Sequence, residues 1–121
     1  MSIFSKIPEV RKIHESEYFF MIYDGFPASP GHILIISNEE KVDYFSLSKK
    51  EQSELASLIE VAKEIIEKVS TPDGYNIGMN CGEAAGQTVM HFHCHVIPRY
   101  LGDMDNPKGG IRHCIKDKGY Y

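Results

Sequence analysis

Between Ser48 and Val69 the sequence repeats with the period of a helix, and it does so in no other stretch: Leu55, Leu58, Ile59, Ala62, Ile65, Ile66 and Val69 recur at intervals of three and four. Ser48-Lys49-Lys50-Glu51 has the form of a capping box at the start, and Thr71-Pro72-Asp73-Gly74 closes the pattern. A helix with a single apolar stripe must bury it against another layer, and the remaining apolar runs are short and strand-like. Tyr18–Tyr23 stops at Asp24-Gly25, residues 26–31 are rich in turn formers, and His32–Ser37 follows, which predicts two antiparallel neighbours. Tyr75–Asn80 is predicted as a third strand and Thr88–Tyr100 as a fourth. One long helix on a mostly antiparallel sheet is an α+β fold.

A chain of 121 residues with no internal repeat and no linker fits one domain over residues 1–121. Its 13 Lys+Arg against 17 Asp+Glu give a net charge of −4, which argues against nucleic acid or an anionic membrane held by a broad basic surface. Cys81, Cys94 and Cys114 are odd in number and form no C-x-x-C pair, so a reducing cytoplasm is the expected compartment. The N-terminal residues lack the apolar run of a signal peptide, and no segment approaches the roughly 20 apolar residues of a membrane span.

In the predicted fourth strand, His91, His93 and His95 alternate with Met90, Phe92, Cys94 and Val96. Residues two apart share a face and lie roughly 6.6 Å apart, so three imidazoles are expected in a row. Two kinds of chemistry suit such a row. Imidazole is a common zinc ligand, but no carboxylate or thiol completes the set on that face. A neutral imidazole can instead attack phosphorus, with neighbouring rings donating to the charged oxygens of the transition state. The second use needs a phosphate-binding loop. Gly86-Gln87-Thr88-Val89 runs straight into the strand, with small residues exposing backbone N–H groups and with Gln87 and Thr88 as side-chain donors. Asn80 ends the preceding strand, and Arg99 adds a fixed positive charge.

The segment Gln87 to Arg99 resembles the signature of the histidine triad (HIT) proteins, and Pro30-Gly31-His32, the long helix and Asn80 extend the likeness over nearly the whole chain. The resemblance implies a HIT-like fold whose sheet continues across a homodimer, and a site for a nucleoside monophosphate unit. It implies His93 as nucleophile, His95 as donor to the α-phosphate, and His91 and His32 as partners that orient the nucleophile. Gly86, Gln87, Thr88 and Val89, with Asn80, correspond to the phosphate-contacting segment. Asp24 falls where the family binds the ribose hydroxyls, and Ile3, Phe4, Ile7 and Ile22 fall where it lines a base pocket. The expected reaction is hydrolysis at the α-phosphate of a dinucleoside polyphosphate, such as diadenosine polyphosphate, or of an adenylylated substrate. It would pass through a nucleotidyl-histidine and release AMP or another nucleoside monophosphate. The Gln87 prefix and the Pro98-Arg99 sequel look more like the dinucleoside polyphosphate hydrolase branch than the phosphoramidase branch. A phosphoramidase, a nucleotide-binding regulatory module with little turnover and a metal-dependent hydrolase are the alternatives. No cofactor is expected beyond a divalent cation accompanying the substrate. Some family members hold a structural zinc with an N-terminal C-x-x-C pair and a further histidine. Here Ser2, Ser5 and Glu40 occupy those places; hydroxyls are poor zinc ligands, so no structural zinc is expected.

Overall fold

The computed structural model describes residues 1–121. Five strands form one antiparallel sheet: β1 (Lys12–Glu15), β2 (Phe19–Tyr23), β3 (Ile33–Ser37), β4 (Gly74–Gly78) and β5 (His93–Arg99), in spatial order β1-β2-β3-β5-β4. The predicted pair β2 and β3 is present in the register Phe19↔Ser37 to Tyr23↔Ile33. The single helix, α1 (Lys49–Glu67), begins with the predicted capping box: Ser48 Oγ accepts from Glu51 N–H, and the Glu51 carboxylate accepts from Ser48 N–H.

Each strand has two faces, and the chain covers both. On one face Leu55, Leu58, Ala62 and Ile66 of α1 pack with Phe19, Met21, Ile33, Ile35, Phe92, Cys94 and Val96 in the main core. Burial at this face pushes the Cys94 thiol pKa up to about 12, so it behaves as a small apolar group. The opposite face carries a smaller cluster of Phe20, Ile22, Leu34 and Ile36, covered by Phe4 and Ile7 from the N-terminal strap. That strap is a short 3-10 turn over Ile3–Lys6, and its Ser2 side chain accepts from Phe4 N–H.

The structure corrects the sequence reading at three places. The strap and β1 were not foreseen, because β1 is four residues with one apolar position that pairs only with β2. The fourth strand begins at His93, not Thr88. Phe92 N–H donates to Lys41 O, and the His91 ring turns into the interior, so the ladder with β3 starts only after them. Val69 lies past the end of α1 and is exposed. The C-terminal segment, unassigned from sequence, makes a 3-10 turn over Gly110–Cys114 and folds back, with the His113 and Tyr120 rings edge to face. No helix is long and apolar enough to cross a membrane.

Candidate active site

Cross-strand register builds the floor of the site. His95 on β5 lies opposite Leu34 on β3, and Leu34 lies opposite Ile22 on β2. Along β5 the alternation sends Cys94, Val96 and Pro98 inward and leaves His93, His95 and Ile97 half-buried on the other face. The strap forms the opposing wall. Between them is a cleft of about 500 Å³ lined by Ile3, Phe4, Ile7, Ile22, Leu34, Asp24, Thr88, Val89, His93 and His95, together with Arg11, Gly25 and Phe26.

Hydrogen bonding fixes where the protons lie. The His93 Nδ1 is 2.8 Å from His91 O. A carbonyl only accepts, so Nδ1 carries the hydrogen, and the Nε2 of the neutral ring keeps its lone pair. A second chain starts at Ala28, whose N–H donates to His32 Nδ1 at 3.0 Å. The His32 hydrogen is therefore on Nε2, which lies 2.9 Å from His95 Nδ1. With His95 Nδ1 accepting, its Nε2 carries the hydrogen. The His93 and His95 rings stand edge to face with centroids 5.4 Å apart, His93 offering a lone pair and His95 an N–H donor. Burial, reinforced by the neighbouring His93 and His32, lowers the pKa of His95 to about 4 against the partial opposition of Asp24. His32 is lowered too, first by burial, with Asp24 opposing. At neutral pH both rings hold the neutral form that this pattern requires.

His91 does not stand in a row with the other two. Its side chain is fully buried, with Nε2 2.6 Å from Ser37 O and Nδ1 2.5 Å from the Ser2 hydroxyl. His91 meets His93 through its backbone carbonyl and through the Phe4 ring, which packs edge to face on both imidazoles. His32 meets His95 and not His93, which corrects its expected partner. Gln87 is a further correction: its amide is committed to Gly82 N–H, Val42 O and Val89 O, so it braces the glycine loop and has no donor left for a phosphate. Asn80 lies outside the main cleft, in a neighbouring cavity of about 440 Å³ that it shares with His32 and His95. Gly86 adjoins it: a Cβ there would lie 3.9 Å from Asn80 Nδ2, and its φ of +94° favours glycine. Arg99 offers no free charge, since its guanidinium forks onto Asp103 and also reaches Asn76 Oδ1.

Sequence reasoning missed Ser2 as a partner of His91, and Arg11, Gly25, Phe26 and Leu34 as lining residues. Leu34 was legible as the register partner of His95; the others depend on how the strap and the β2–β3 loop fold over the sheet. Asp24, His32 and His95 place three potential metal-ligand atoms within 4.8 Å of one another. The hydrogen-bond chain through His32 accounts for that closeness, since Asp24 Oδ2 is 3.5 Å from the same Nε2. The family's structural zinc fits poorly here. Ser2 N–H donates to Glu40, and its hydroxyl sits on His91 Nδ1, so both ring nitrogens of His91 are engaged.

A family model described as "HIT domain" matches residues 6–102, and the chain belongs to that family. An uncharacterised HIT-like protein of Mycoplasma genitalium is 39% identical over 74% of this chain and 63% of its own length. A protein named AP-4-A phosphorylase from Mycobacterium tuberculosis is 29% identical over 83% of this chain and 54% of its own length. One named bis(5'-nucleosyl)-tetraphosphatase (asymmetrical) from Schizosaccharomyces pombe is 38% identical over 64% and 42%. The chain thus spans roughly half of these relatives' lengths. A crystal structure of a HIT family member from Bacillus subtilis superposes with a TM-score of 0.76 and 29% identity, covering 84% of this chain and 75% of that one.

Proposed function

We propose that the chain is a nucleotide hydrolase that cleaves at the α-phosphate of dinucleoside polyphosphates or adenylylated substrates through a nucleotidyl-His93 intermediate. The observation that carries this reading is the opposed protonation of two adjacent rings in one cleft. The His93 Nε2 lone pair attacks the α-phosphorus, and the bond to the leaving group breaks. Water then displaces the nucleotide from Nε2, releasing a nucleoside monophosphate and restoring the ring. Dividing one displacement into two lowers each barrier. The His95 Nε2–H donates to a non-bridging oxygen as charge grows there. His91 O holds the Nδ1–H of His93 and favours the nucleophilic tautomer. Asp24 takes the ribose hydroxyls, and Ile3, Phe4, Ile7, Ile22 and Leu34 enclose the base. Thr88 and Val89 supply donors at the phosphate end, while Gln87 acts one step back by holding their loop.

The names of the mycobacterial and yeast relatives support the dinucleoside polyphosphate branch over the phosphoramidase branch. Family membership supports a homodimer, and β4 is a free sheet edge with Ile77 exposed on it. The reading needs no resident metal, and none at the Ser2, Ser5 and Glu40 positions. The test is incubation with diadenosine tetraphosphate and with an adenylylated amine, each with and without chelator. AMP release from the polyphosphate, slower from the amine and surviving chelation of the enzyme before magnesium-loaded substrate is added, is expected. Release that needs zinc restored would overturn the metal-free mechanism, and binding without turnover would favour a regulatory module.

A further inference from the structure

His32 and His95 can share their hydrogen bond in two ways, and both keep the rings neutral across the 2.9 Å contact. In the first, His32 Nε2–H donates to His95 Nδ1, and His95 presents N–H at its Nε2. In the second, the His32 hydrogen sits on Nδ1, His95 Nδ1–H donates to His32 Nε2, and His95 presents a lone pair instead. Only the first offers a donor to a phosphate oxygen. The choice falls to the groups that meet His32 from outside the pair. Ala28 N–H points at Nδ1 from 3.0 Å, whereas Asp24 Oδ2 stands 3.5 Å from Nε2, long for a hydrogen bond. Both favour the first arrangement, and the Ala28 amide, being the closer, is the stronger determinant.

That amide is placed by a turn and by the surface beneath it. Ser29-Pro30-Gly31-His32 carries the proline and glycine of a type II turn, with Gly31 at φ +93° and His32 N–H donating to Ser29 O at 3.2 Å. The turn brings Ala28 back beside the His32 ring. The end of β5 holds it down: Tyr100 OH donates to Pro30 O at 2.9 Å, and Ser29 Oγ donates to Pro98 O. We infer that Ser29 and Tyr100 are positioning residues that clamp this turn, hold the Ala28 N–H on His32 and so fix His95 as a donor. Neither residue lines the cleft or the cavity beside it. With the clamp removed, the amide leaves Nδ1 and the second arrangement becomes accessible. The inference deepens the reading of His95 as the phosphate donor and rests on it for its effect on turnover.

Nuclear magnetic resonance of the full chain labelled with nitrogen-15 tests the proton placement without substrate. The unmodified chain is expected to show a coupling across the hydrogen bond between the Ala28 amide nitrogen and His32 Nδ1. The Nδ1 of both rings should resonate as a lone-pair nitrogen and the Nε2 of both as a protonated one. In the double variant Ser29→Ala, Tyr100→Phe the coupling should weaken, His32 Nδ1 should move toward the protonated position and His95 Nε2 toward the lone-pair position. Each single variant keeps one clamp and should show smaller movements in the same directions. For diadenosine tetraphosphate, kcat should fall about tenfold in the double variant, part of what loss of a transition-state donor costs, with KM unchanged within about twofold. No such coupling in the unmodified chain, a protonated His32 Nδ1 there, or resonances unmoved in the folded variants would overturn the role of the clamp. Resonances that move as expected in a chain that releases no AMP would support the clamp and overturn the hydrolase reading alone.

Discussion

At the scale of single residues, the fold keeps His32 and His95 neutral, with each proton assigned to one nitrogen. His95 is the sensitive member. Its protonation would put a hydrogen on Nδ1 against the Nε2–H of His32, converting a hydrogen bond into a clash of donors. Burial holds its pKa at about 4, against the ordinary 6.5 that the unfolded chain recovers. Between those values the unfolded state binds more protons than the folded state, so stability rises with pH across this window. The contribution is complete above about 6.5 and lost by about 4. Thermal melts from pH 7 to pH 4.5 should show a falling Tm, and His95→Asn should make the slope shallower. Carboxylates titrate in the same range, so the difference between the two slopes is the quantity to read. Identical slopes would mean that His95 is not held neutral by the fold.

At the scale of elements, the N-terminal strap links the proposed base pocket to the triad. Ile3, Phe4 and Ile7 form its wall, and Ser2 ties it to the buried His91, whose carbonyl positions His93. Ser2→Ala leaves a buried ring nitrogen without its donor and removes the cap on Phe4 N–H. The cost is about 1–3 kcal/mol, seen as a Tm lower by several degrees. KM should rise more than kcat falls, since the pocket wall loosens while His93 keeps its carbonyl partner; Ser2→Thr should restore both. The strap also shows what the sequence made legible. The helix, its cap and the β2–β3 pair follow from local periodicity and turn chemistry, so they were readable directly. His93 and His95 were readable because alternation along a strand is local as well. His91 was misplaced because the strand begins two residues after it, an outcome decided by Ser37 O and Ser2, 54 and 89 residues distant in sequence. Gln87 was misjudged for a related reason: its partner Val42 lies 45 residues away. Residues whose roles depend on distant partners left no periodic trace.

At the scale of the whole molecule, a single sheet separates two kinds of surface. One face is closed by α1 and carries the stability of the fold; the other is closed only by a short strap and keeps a cleft open. The net charge of −4 does not oppose a phosphate ester in that cleft, because the proposed donors are local: backbone amides, Thr88 and imidazoles that the sum counts as uncharged. The central claim is that His93 becomes covalently nucleotidylated. Rapid quenching of the full chain during turnover of diadenosine tetraphosphate, followed by mass spectrometry of the peptide containing His93, tests it most directly. The account predicts an adenylyl adduct on His93 that forms and decays with turnover and is absent, along with AMP release, in His93→Asn. Turnover with no adduct at any quench time, or full activity in His93→Asn, would contradict it.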